Sequence, residues 1–164
     1  MAAPRRVSDL EPVPLGRPAL FDTGVWTWVR DRRFPGLAQW FNAEVRAGRV
    51  LVCELVRLEL IRLTPNHERA GDLARRLAAF DSVPMPESLW SRAREVQLAM
   101  SASADDRRVP PPDLLLAAAA ELARVPILHY DRDYERVAAV THQEHAWFVQ
   151  DGTLAADALT TNPT

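Results

Sequence analysis

The sequence predicts an α/β fold built around a parallel sheet, and three observations lead there. Short apolar runs alternate with segments of helical period, the pattern of strands joined by helical crossovers. Proline and glycine punctuate the joins. Acidic residues stand at the margins of the apolar runs, at strand ends or helix starts: Asp22 closes Ala19-Leu20-Phe21, Glu59 interrupts Leu58 and Leu60, Asp113 opens Leu114-Leu115-Leu116, and Asp131 follows Ile127 to Tyr130.

Taken in order, residues 1–18, with four prolines, read as an irregular leader. Pro18 to Asp22 is a short buried strand, followed by a helix through Trp26 and Trp28. Leu37 to Ala47 has helical spacing and Gly48 stops it. Val50 to Val52 is a second strand, leading into a helix to about Leu63. Asn66 starts a helix rich in arginine and alanine that ends near Phe80. Ser82 to Pro84 is a short third strand, and Glu87 to about Ser101 is helical. An exposed loop follows, then a helix with Pro112 in its first turn, running to Arg124. Pro126 to Tyr130 is a strand, Tyr134 to Val140 a short helix, and His145 to Val149 a last short strand. The expected organisation is a leader at 1–18, one domain at 19–154 and a flexible tail at 155–164.

At 164 residues and 18.4 kDa the chain suits one domain with a proper core. The single cysteine, Cys53, excludes an intramolecular disulfide framework and a cysteine-rich zinc site. The N-terminus lacks an apolar signal region and no stretch approaches the roughly 20 apolar residues of a membrane span; the cytoplasm is the expected location. All 20 basic residues are arginine. The absence of lysine removes aspartyl-phosphate chemistry that depends on a strand-end lysine, and it removes the P-loop, whose GxxxxGK[ST] motif is absent. No GxSxG nucleophile elbow is present either.

A carboxylate at the edge of a core segment is costly unless hydrogen bonds or a cation compensate it. Four that converge would form an oxygen-rich site suited to Mg²⁺ or Mn²⁺. At about 100° per residue, Leu55, Val56, Leu60 and Leu63 fall within roughly 100° of Glu59, so Glu59 points from the core-facing stripe and Glu54 toward Arg57. The plain alternatives are an Arg62 partner for Glu59, an N-cap for Asp22, a dipole-favoured first-turn acid for Asp113, and turn residues for Asp131 and Asp133. His142 and His145, three apart, make a conceivable two-nitrogen metal clip with no third ligand nearby. His67 reads as a surface residue and His129 as a strand-end residue.

ALFDTGVW around Asp22, LVRLELIR around Glu59, PPPDLLLAAAAELA around Asp113 and LHYDRDYERVA around Asp131 and Asp133 resemble the PIN domain family, and within it the VapC toxins of bacterial toxin–antitoxin systems. The resemblance runs from Ala19 to Leu154 and is most specific over Pro110 to Val137. It implies a three-layer α/β/α sandwich with a central parallel sheet of four to five short strands. It further implies an Mg²⁺- or Mn²⁺-dependent endoribonuclease cutting single-stranded or loop RNA. Asp22, Glu59, Asp113 and Asp131 would be its acidic quartet, Asp133 an auxiliary acid, and Thr23 a hydroxyl beside the first acid. Gly24 departs from the pattern, which more often has a polar residue there.

The same resemblance implies a homodimer and a small VapB-like antitoxin, whose inserted arginine would suit so acidic a pocket. Phosphate contacts would come from Arg30, Arg32 and Arg33 after the first helix, or from Arg107 and Arg108 before Asp113. Trp26 or Trp28 would offer base stacking, against the plainer reading of both as core. The rival function is a catalytically silent PIN-like protein that binds RNA or a partner.

Overall fold

The computed structural model describes residues 10–102 and 108–154. Four strands, β1 (Ala19–Phe21), β2 (Val50–Leu51), β3 (Ile127–His129) and β4 (His145–Trp147), form one sheet in the order β2-β1-β3-β4, with every pairing parallel. Parallel strands need crossovers, and seven helices among the described residues supply them: α1 (Thr23–Trp28), α2 (Pro35–Arg46), α3 (Glu54–Arg62), α4 (His67–Leu77), α5 (Ser88–Met100), α6 (Pro111–Ala123) and α7 (Asp133–Thr141). Helix α3 packs on α1 and α4, whereas α5, α6 and α7 pack on one another, giving the three-layer α/β/α sandwich expected.

The central strands are apolar up to His129 at the end of β3, and fully buried, because helices cover the sheet. Leu20, Phe21, Ile127 and Leu128 are each at most 1 % exposed. Facing them, α6 buries Leu114, Leu116 and the run Ala117 to Ala120; small side chains let this helix lie close against its neighbours. Ahead of β1, Leu10, Val13 and Leu15 pack against the core, and the Val13 N–H donates to the Phe148 carbonyl at 2.7 Å.

The third strand expected at Ser82 to Pro84 shrinks to a single parallel bridge between Val52 and Ser82. Pro84 has no N–H to extend the ladder. Leu63, expected on the core-facing stripe, lies beyond the last turn of α3 and is 56 % exposed. The expected tail at 155–164 lies outside the described residues. No helix among the described residues is long and apolar enough to cross a membrane.

The strand order sets the position of the site. From β1 the chain crosses to β2 on one side, and the later strands stack on the other, so the winding reverses between β1 and β3. In open α/β sheets ligands bind outside the C-terminal ends of the strands at such a reversal. Asp22 immediately follows β1, and Asp131 follows β3 by one residue.

Candidate functional site

Asp22 shows that a helix cap and a site residue can be the same carboxylate. Its Oδ2 accepts the Gly24 N–H at 3.1 Å and so caps α1. Its Oδ1 accepts the hydroxyl of Tyr134 at 2.8 Å. Burial pushes this carboxyl above its ordinary pKa, and the hydrogen bonds from Tyr134, Gly24 and Thr23 pull it back. A Cβ on Gly24 would stand 3.1 Å from Asp22 Oδ2, so the glycine leaves room for the cap.

Asp113 enters from the first turn of α6, where Pro111 at the helix start needs no N–H partner. It is half-buried, 3.4 Å from the Tyr134 hydroxyl through Oδ1. Burial and the negative charges of Asp22, Asp131, Asp133 and Glu59 push its carboxyl up to about 7. Carboxylate oxygens of Asp113, Asp131 and Asp133 come within 4.8 Å of one another. Asp131 also accepts the Asp133 N–H at 2.9 Å, which closes the turn into α7, and Asp133 accepts Arg136 at 2.5 Å. The turn reading and the convergence of acids therefore hold together.

Glu59 sits beside this group. Val56 and Leu60 are buried, so the centre of the α3 stripe lies about 80° from Glu59 at 100° per residue. The residue is accordingly on the flank, half-buried. It accepts the hydroxyl of Thr23, which ties α3 to the start of α1, and no pairing with Arg62 is present among the described residues. Glu54 pairs with Arg57.

Two residues of the site escaped the sequence reading. Tyr134 is 2 % exposed, with its hydroxyl between Asp22 and Asp113. Its spacing from Val137 on a short helix marks it as core, and a buried phenol needs a partner for its O–H; that was the available signal. His129 is fully buried at the end of β3. Its Nδ1 accepts the Asp131 N–H at 3.1 Å, which leaves the ring proton on Nε2 to meet His145 Nδ1 at 2.8 Å. Burial and the neighbouring His145 hold its pKa down to about 3. His145 is thus engaged with His129 through its Nδ1.

Of the phosphate-binding candidates, Arg30, Arg32, Arg33 and Arg108 are exposed, with Arg33 holding Asp31 through paired contacts. Arg107 lies outside the described residues. Arg30 lines a groove of about 540 Å³ with Trp26, Phe41, Arg69, Arg76 and Phe80. Trp26 is 3 % exposed and packs edge-on against Phe41 and Phe80. Its indole N–H donates to the Phe21 carbonyl. Trp28 packs against Phe34 and Tyr130. Trp26 belongs to the core and Trp28 is partly buried against it, in line with the plainer of the two readings.

The PIN domain family model matches residues 19–140. The chain belongs to the PIN domain family. Its relatives place it among the VapC-like members. It is 38 % identical over 122 residues to Ribonuclease VapC21 of Mycobacterium tuberculosis, covering 73 % of this chain and 87 % of that protein. It is 36 % identical over 135 residues to Ribonuclease VapC18 of the same organism, covering 81 % and 96 %. Among solved structures, this PIN domain resembles VapBC2 from Rickettsia felis bound to a promoter DNA fragment, with a TM-score of 0.62 at 10 % identity over 79 % of this chain and 98 % of that one. It also resembles VapBC-1 from nontypeable Haemophilus influenzae, with a TM-score of 0.59 at 14 % identity over 81 % and 96 %. These likenesses are of fold.

Proposed function

We propose that this chain is the toxin of a VapBC-type toxin–antitoxin pair, an Mg²⁺- or Mn²⁺-dependent endoribonuclease that cuts single-stranded or loop RNA in the cytoplasm. The observation that carries the reading is the convergence of acids on Asp113, whose carboxyl is pushed up to about 7 by burial and by four like charges. Such crowding is compensated by a hard cation, and the all-oxygen donor set fits Mg²⁺ or Mn²⁺ rather than a thiol- or imidazole-seeking metal. The likeness to two ribonucleases, VapC21 and VapC18, supports the nuclease part of this reading.

Asp22, Asp113 and Asp131 would hold the cation, with Glu59 beside them and Asp133 auxiliary. When bound, the cation supplies an acidified water and charge stabilisation at a scissile phosphate. Thr23 holds the Glu59 carboxylate, and the His129 ring holds the backbone of Asp131. Arg30, Arg32, Arg33, Arg107 and Arg108 are the proposed phosphate contacts, sequence-independent in character. The nuclease unit is taken as residues 19–154. The partners proposed are a VapB-like antitoxin and a second copy of the chain.

The test is cleavage of a single-stranded RNA with Mn²⁺ or Mg²⁺ present, and again after chelation. Asp22→Asn and Asp113→Asn should each reduce the rate by more than ~100-fold, since the site is asked for several kcal/mol of transition-state stabilisation. Variants that cut as fast as the wild type would refute the nuclease reading and leave a PIN-like binding protein.

A further inference from the structure

Tyr134 occupies a position that no role proposed so far uses. Its ring is buried in the first turn of α7, against the His129 ring at 5.0 Å between centroids. The hydroxyl is therefore fixed in space. It carries one proton and faces two acceptors, Asp22 Oδ1 at 2.8 Å and Asp113 Oδ1 at 3.4 Å. These acids come from distant parts of the chain, one after β1 and one in α6.

The other oxygen of Asp22 is held by the Gly24 N–H. Both oxygens are thus anchored by donors, and each retains a lone pair for a further ligand. A carboxylate anchored at both oxygens loses little orientational freedom when it takes a cation. The phenol O–H also stands within reach of both carboxyls, so it bears on their spacing as well as on the orientation of Asp22.

We propose that Tyr134 is a positioning residue of the metal site, its hydroxyl setting the orientation of Asp22 and the spacing between Asp22 and Asp113. The inference rests on the metal-dependent reading above. Partners that orient metal ligands in this way are worth ~10- to 100-fold in affinity.

The test is titration of the full chain with Mn²⁺ alone, followed calorimetrically. Tyr134→Phe removes one oxygen atom and keeps the ring. It should weaken Mn²⁺ binding by ~10-fold or more, with the far-ultraviolet dichroism of the wild type. In an Asp22→Asn background the same change should matter by less than about twofold, because the carboxylate it orients is gone. Equal losses in both backgrounds would mark a merely structural role and overturn the proposal. So would Tyr134→Phe binding as tight as, or tighter than, the wild type. A wild type that binds no Mn²⁺ would sink the metal reading and this inference together, whereas a binding wild type with an equally tight variant sinks this inference alone.

A second measurement needs no substitution at the site. The chain has two tyrosines, Tyr130 and Tyr134. Labelling with 3-fluorotyrosine gives two ¹⁹F signals, assigned with Tyr130→Phe. Mg²⁺ should move the Tyr134 signal, and a signal that stays in place at saturating Mg²⁺ would overturn the proposal.

Discussion

Asp113 holds its proton up to about pH 7 in the folded chain, against an ordinary value of 3.8. An acid with a raised folded pKa stabilises the fold below its unfolded pKa, and that contribution is lost as pH rises through the folded one. Between about pH 4 and pH 7 the metal-free protein should therefore lose this part of its stability. His129 works the other way. With a folded pKa near 3, it leaves the unfolded chain to bind the proton first, so the stability it confers is lost as pH falls from about 6.5. Because the two trends oppose, the cation-dependent difference isolates Asp113 better than the melting curve of the bare protein. Mn²⁺ competes with the Asp113 proton, so its affinity should rise by up to ~10-fold per pH unit below 7 and level off above. Calorimetry at pH 5.5, 6.5 and 8 measures this. Asp113→Asn should flatten the profile, and a flat wild-type profile would contradict the assignment.

Among the elements, α3 is tied to the end of α4 by the side chain of Arg57 as well as by apolar packing. Arg57 donates to the carbonyls of Leu77 and Phe80 at 3.2 and 3.1 Å and to Ser82 Oγ at 2.6 Å, and it pairs with Glu54. It thereby satisfies carbonyls at the end of α4, where helical partners run out. Arg57→Ala should cost about 1–3 kcal/mol. For a chain of this size that is a fall of roughly 2–10 °C in melting temperature, with Mn²⁺ affinity unchanged.

The element scale is also where the sequence was most legible. Period and punctuation located all seven helices and the four strands, because alternation between buried strand and amphipathic helix is a local signal. Ser82 to Pro84 misled because a β-branched residue ahead of a proline imitates a strand while its backbone has only one partner to reach. Within the site, Asp22, Glu59, Asp113 and Asp131 could be picked out as acids among apolar neighbours. Tyr134 and His129 could not, since an aromatic on a core stripe looks the same whether or not its polar atom meets a carboxylate from a distant part of the chain.

For the whole molecule, the stretch ahead of β1 contributes to the core. Leu10, Val13 and Leu15 pack on it, Val13 bonds to Phe148, and Arg17 pairs with Glu144. A chain that begins at Leu10 serves as the reference. Deleting 1–15 should destabilise by about 1–3 kcal/mol, the value of burying one or two aliphatic side chains. Equal melting temperatures for the two truncations would show that the segment contributes nothing.

The sheet order has a consequence in time. Tyr134 and Asp22 are 112 residues apart in sequence, and β3 must seat beside β1 before Tyr134 can reach Asp22. A ribosome adds roughly 5–20 residues per second, so on the order of ten seconds pass between the synthesis of the first acid and that of the last. Throughout that interval the growing chain carries isolated carboxylates and no site. Whatever these acids do, the chain cannot do it to the ribosome that is making it until Asp131 has been added and folded into place.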